Sequence, residues 1–145
     1  MKNITLFLTL FLAVNINAQK KPWNENLLTV PEKTNYQKTS TYAEVISFIN
    51  TIQKKSDNIH LDLLGTSKEG KKIPLVVLAN PKITTPEEAI ASGKPVLYIQ
   101  GNIHSGEVEG KEVLQQLMRD ILLGDKKHLL DNQILLFAPI YNTDS

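Results

Sequence analysis

Two side chains pose the chemical question. His104 and Glu107 lie three residues apart in the run Gly101-Asn102-Ile103-His104-Ser105-Gly106-Glu107-Val108-Glu109-Gly110. At the entrance to a helix, positions i and i+3 face the same side. An imidazole nitrogen and a carboxylate so placed can converge on one cation at the ~2.0–2.2 Å typical of zinc bonds to nitrogen and oxygen. Zinc suits both donor types and brings no redox chemistry. A bare His-x-x-Glu is nevertheless a weak signal. A hydrogen-bonded loop histidine and a first-turn glutamate favoured by the helix dipole would look the same. Zinc also needs a third protein ligand and, for catalysis, an open position. His128 follows the far end of the next helix, about 25 Å away at ~1.5 Å per residue. His60 reads as a surface residue of an earlier strand. The chain therefore supplies two ligands and lacks the third.

The elements that must position this pair form an α/β pattern. Pro95 to Gln100 is a short continuous apolar run, expected as a strand buried on both faces. The His104–Glu107 loop follows its carboxyl end, where open α/β sheets bind ligands. Gly101, Gly106 and Gly110 are expected to let the backbone turn tightly and a ligand approach. From Val108 or Gly110 to Leu123, a helix shows the apolar stripe Val113, Leu114, Leu117, Met118, Ile121 and Leu122, with Gly124 as its stop. Ile134 to Ile140 reads as a buried strand with Pro139 near its end. This last strand–helix–strand unit should be parallel and right-handed.

Earlier in the chain, Thr41-Tyr42-Ala43-Glu44 is a capping box. It opens a helix with the stripe Tyr42, Val45, Ile46, Ile49 and Ile52, ending near Lys54. Ile59 to Leu64 alternates as a strand, Gly65 to Lys72 turns, and Ile73 to Leu78 returns, predicting a hairpin. Thr85-Pro86-Glu87-Glu88 starts a short helix that Gly93 stops. Gln19 to Thr39 reads as an irregular arm. The expected architecture is a mixed, largely parallel sheet with helices on both faces. Four strands share only about three helices, so the chain is expected to be the N-terminal part of a larger, truncated α/β/α fold.

Length and composition exclude other classes. The 145 residues, 41% hydrophobic and 21% charged, are ordinary globular sequence. Sixteen basic residues balance fifteen acidic ones, which gives nucleic-acid binding no electrostatic support. The absence of cysteine removes disulfides, thiolate zinc sites and a cysteine nucleophile. No Gly-x-Ser-x-Gly elbow and no phosphate-binding glycine motif is present. Lys71-Lys72 and Lys126-Lys127 read as solvated turns. Residues 1–18 have the plan of a secretory signal peptide: Lys2, an apolar run from Ile4 to Val14, and Ala18 before the cut. The run is too short to span a bilayer, which takes about 20 apolar residues. The expected location is secreted or periplasmic, with no stable membrane insertion after signal cleavage.

Gly101-Asn102-Ile103-His104-Ser105-Gly106-Glu107 resembles the zinc-binding loop of the carboxypeptidase A-like zinc metallocarboxypeptidases. Thr41 to Phe48 resembles that family's first helix, and Leu64 to Lys71 its turn between the first two strands. Pro139-Ile140-Tyr141-Asn142-Thr143-Asp144-Ser145 resembles a segment ending in Asn-Pro-Asp-Gly. The likeness covers about residues 40–145, roughly the first third to half of such a catalytic domain. It implies one zinc ion held by His104 and Glu107, and an enzyme that hydrolyses peptides or proteins at their C-termini. It also implies that the third ligand, the glutamate base and the groups holding the terminal carboxylate lie downstream. No catalytic residue is then assigned within this chain, Arg119 takes no carboxylate-binding role, and the 145 residues alone are expected to be inactive. Gly106 stands where the pancreatic-type enzymes have Arg, Thr143 where the family has Pro, and Ser145 where it has Gly. Asn142 and Asp144 read as turn-shaping residues. Two alternatives stay open: a related zinc amidohydrolase or deacylase acting on acylated amino acids, and a non-catalytic secreted binding module.

Overall fold

The computed structural model describes residues 23–144. The expected signal segment 1–18, the first residues of the arm and Ser145 lie outside the described residues. Four strands, β1 (Ile59–Thr66), β2 (Lys72–Leu78), β3 (Val96–Gln100) and β4 (Ile134–Ala138), form one sheet in the order β1-β2-β4-β3. The hairpin is present, with Ile59 opposite Leu78 and a register shift between Leu63 and Gly65. β3 and β4 run parallel, with Val96 opposite Ile134.

The strand period of two sorts side chains between the faces. Val76, Leu78, Leu135 and Phe137 join one buried cluster with Val45, Phe48, Ile49 and Ile52 of α2 (Tyr42–Gln53) and Leu114, Met118, Ile121 and Leu122 of α4 (Val108–Leu123). Val77 and Ile134 face the other way, into a smaller cluster with Ala79 and Ile83 against which Ala89 of α3 (Pro86–Ser92) packs. Helices thus cover both faces, as expected for the mixed sheet. The caps are also as read. Glu44 accepts hydrogen bonds from Thr41 N and Oγ1, each 2.8 Å. Thr85 Oγ1 accepts from Glu88 N, and Gly93 ends α3 with φ +65°.

Four expectations change. The sheet is mixed but not largely parallel, because β2 pairs antiparallel with both β1 and β4. β3 is not buried on both faces: as an edge strand it leaves Val96, Leu97 and Tyr98 between 42% and 50% exposed. The arm is not wholly irregular, since Glu25–Leu27 is a 3-10 helix and Val30–Lys33 a helical turn, α1. Glu32 accepts from Thr29 N at 2.8 Å and from Thr29 Oγ1 at 3.1 Å, the same Thr-to-Glu spacing that starts α2 and α3. Finally, Val113 is exposed, while Lys111, Glu112, Gln115 and Arg119 are buried. The arm packs on that side of α4 and moves its covered stripe toward the polar residues.

Candidate metal centre

The loop leaving β3 is fixed by backbone contacts before any side chain acts. Gly101 N donates to Ala138 O at 3.0 Å, Tyr141 N to Gly101 O at 3.0 Å, and Asn142 N to Asn102 O at 2.9 Å. Asn102 is buried with φ +57°, and its side-chain amide donates to Asn142 O at 3.0 Å. Asparagine tolerates that left-handed region better than most residues. On the other side, a Cβ at Gly101 would lie 2.8 Å from Gly110 C and 2.9 Å from Lys111 N. Only glycine lets this backbone rest on the first turn of α4. Gly106 has a different part: nothing lies within 4 Å of a Cβ placed there. It leaves open space beside the loop and is not needed for close packing.

His104 and Glu107 come together as the spacing predicts. Glu107 N donates to His104 O at 3.0 Å, forming a turn that ends at the first residue before α4. His104 Nδ1 then stands 2.9 Å from Glu107 Oε1. Both side chains are open to solvent, at 78% and 59% exposure, so a ligand can reach them without rearrangement of the core. Hydrogen bonding from His104 holds the Glu107 carboxyl below the usual glutamate range, so it is ionised at neutral pH. With a carboxylate as acceptor, Nδ1 carries the shared proton.

The donor set fits zinc. Two donors at ~2.1 Å from a tetrahedral ion stand ~3.4 Å apart. The observed separation is about half an ångström shorter, a difference that side-chain torsions absorb. A zinc ion on Nδ1 would need that nitrogen unprotonated, so the proton of the neutral imidazole would move to Nε2. Among the described residues no group of three or more His, Cys, Asp or Glu is placed to hold a metal. His60 lies on the opposite edge strand, β1, and His128 in the 3-10 helix Lys127–Leu130 beyond α4, its Nδ1 3.2 Å from Asp125 O.

Two of the three other motif regions meet each other. Ser67 Oγ donates to Asp144 Oδ1 at 2.6 Å, and Glu69 N to Asp144 Oδ2 at 3.2 Å. The Asp144 carboxylate therefore ties the β1–β2 turn to the segment after β4. Arg119, the sequence's only arginine, is buried away from the loop. Its Nη1 and Nη2 reach Glu32 at 2.6 and 3.0 Å, and it stacks 4.8 Å from the Trp23 ring. Sequence reasoning missed one group near the loop: Ser40, whose polar atoms are bound by Lys111, Glu112 and Gln115. No local signal could reveal it, because the partners lie 71 to 75 residues apart.

Comparison with known proteins identifies the family and the fold. A family model described as zinc carboxypeptidase matches residues 45–144. No curated protein matches. Carboxypeptidase A from Helicoverpa armigera is similar in structure, with 20% identity and a TM-score of 0.63 over 74% of this chain and 25% of its own. Bovine thrombin-activatable fibrinolysis inhibitor, solved in complex with tick carboxypeptidase inhibitor, gives 17% and 0.61 over 76% of this chain and 33% of its own. A metallo-carboxypeptidase from Burkholderia cenocepacia gives 20% and 0.58 over 71% and 27%. These identities establish the fold alone, and the chain spans about a quarter to a third of the length of the structures it matches.

Proposed function

The chain belongs to the zinc carboxypeptidase family, and from that premise we propose that His104 and Glu107 are two zinc ligands of an exported enzyme that hydrolyses C-terminal peptide bonds. One observation carries the reading: His104 Nδ1 and Glu107 Oε1 converge to 2.9 Å on an exposed loop at the carboxyl end of a sheet strand. When bound, zinc supplies Lewis-acid polarisation of a carbonyl and an acidified water. The chain's own residues bind and orient. His104 gives a neutral nitrogen, Glu107 a charge, and the Gly101–Gly110 contact fixes the loop that carries both. The open space at Gly106 leaves room for a peptide to approach.

Two protein donors are fewer than the three of a catalytic zinc site. The 145-residue chain alone therefore binds zinc weakly and does not cleave peptide. The third ligand and the general base come from polypeptide outside the described residues. Met1 to Ala18 directs export, giving a secreted or periplasmic protein. No helix of the described residues is long and apolar enough to cross a membrane.

The test is hydrolysis of a blocked dipeptide by the gene product containing this chain and by the 145 residues alone, each with and without chelator. We expect chelator-sensitive release of the C-terminal residue from the former, none from the latter, and loss of activity in His104→Ala and Glu107→Ala. Chelator-insensitive hydrolysis, or activity surviving either substitution, would contradict the zinc assignment.

A further inference from the structure

Ser40 has all three of its polar groups engaged by a single helix. Its N–H donates to Glu112 Oε1 at 2.5 Å, and its Oγ donates to Glu112 Oε2 at 2.7 Å. Its carbonyl accepts from Lys111 Nζ at 2.6 Å. Gln115 Nε2 adds bonds to Ser40 Oγ at 3.3 Å and Glu112 Oε2 at 3.1 Å. All four residues are buried. We propose that this latch is a positioning device for the His104–Glu107 pair, an inference that rests on the zinc assignment above.

Stability alone does not explain the latch. Burying a lysine and a glutamate costs several kcal/mol per ion before pairing, and well-packed apolar residues of similar volume often hold a structure as well or better. Directional bonds supply something that apolar packing does not: one register. Ser40 immediately precedes Thr41, the cap of α2, so the latch ties the start of α2 to the start of α4. Lys111 and Glu112 follow Glu107 by four and five residues. Gly110, directly before Lys111, is the residue on which Gly101 rests. The same turn of α4 is thus bonded to Ser40 through its side chains and supports the metal loop through its backbone. The exposed His104–Glu107 bond contributes little to holding its own geometry. Zinc fixes its bond lengths to about 0.2 Å, and side-chain torsions can bring both donors to it only if the loop backbone holds His104 and Glu107 in place. The precision has to come from behind the pair, and the latch is the buried, directional contact nearest to it along α4.

The experiment compares the full 145-residue chain with Lys111→Met/Glu112→Leu and with the milder Ser40→Ala. Zinc affinity is read by competition with a chromophoric chelator, folding by thermal unfolding, and the pair itself by the side-chain nitrogen-15 resonances of His104 without metal. We expect the double variant to fold with zinc affinity reduced about 10-fold, the lower end for loss of an outer support to a metal ligand. The His104 resonances should move toward those of an unbonded imidazole. Ser40→Ala should shift both in the same direction by less, which keeps the test open if the double variant does not fold. Wild-type zinc affinity and wild-type His104 resonances in a folded variant would overturn the inference. A wild-type chain that binds no zinc would overturn the zinc assignment, and the inference with it.

Discussion

Two sets of charged side chains lie on and just before α4, and they differ in burial and surroundings. His104 and Glu107 meet in solvent, at 2.9 Å, in a loop. Arg119 with Glu32, and Lys111 and Glu112 around Ser40, meet in the interior against the arm. An exposed pair gains little from its own attraction, because water screens it. Its hydrogen bond can therefore give way to a cation at low cost. A buried pair is costly to break, because the surviving partner is left charged in a poor solvent. The proposal gives chemistry to the first set and placement to the second.

The contrast can be broken most severely at Arg119. Arg119→Ala strands Glu32, removes a 2.9 Å bond to Leu27 O and empties the face of Trp23. It should cost about 3–5 kcal/mol in denaturant unfolding. Next is Gly101→Ala, whose Cβ must displace the backbone of Gly110 and Lys111. Overpacking of this kind costs about 1–3 kcal/mol, and here zinc affinity should fall as well, since the loop moves.

Smaller effects sharpen the contrast. Thr143 is 1% exposed, and its hydroxyl has no partner among the described residues. Thr143→Val should stabilise the chain by about 0.5–1 kcal/mol in the same assay, since an unmade buried hydrogen bond carries a desolvation cost. Acid gives a further test. Burial pushes the Glu32 carboxyl up, but hydrogen bonds from Arg119 and Thr29 and the Arg119 charge outweigh it, so its pKa is lowered. A lowered folded value means that its stabilisation is complete above the ordinary glutamate value of about 4.3 and is lost as pH falls through the folded value. Unfolding free energy against pH should show that loss below about pH 4.3, and Glu32→Gln should flatten it. At the small end, His104→Ala and Glu107→Ala should leave the metal-free unfolding midpoint within about a degree of wild type.

Much of the scaffold was legible because its signals are local. Thr41 with Glu44, Thr85 with Glu88, and the alternation from Ile59 to Leu63 each carry their structural meaning within a few residues. The i, i+3 convergence of His104 and Glu107 is of this kind. The Thr29–Glu32 box was equally local, and the surrounding polar composition hid it. The two sheet edges show where local reading stops. β1 carries His60, Asp62 and a register shift, the usual protections of an edge strand. β3, Val-Leu-Tyr-Ile-Gln, carries none of them and reads like an interior strand, although it pairs on one side only among the described residues. A neighbour's presence is not written in a strand's own pattern. The latch was invisible for a related reason. Nothing near Ser40 announces Glu112, 72 residues away, and buried Lys111 and Glu112 defy the rule that charges face water.

The central claim is that His104 and Glu107 hold one zinc ion between them. Calorimetric titration of the 145-residue chain with zinc tests it most directly, alongside His104→Ala, Glu107→Ala, His60→Ala and His128→Ala. The account predicts one site per chain, lost in the first two variants and kept in the last two. Zinc binding that survives removal of either His104 or Glu107, or a wild-type chain that takes up none, would contradict it.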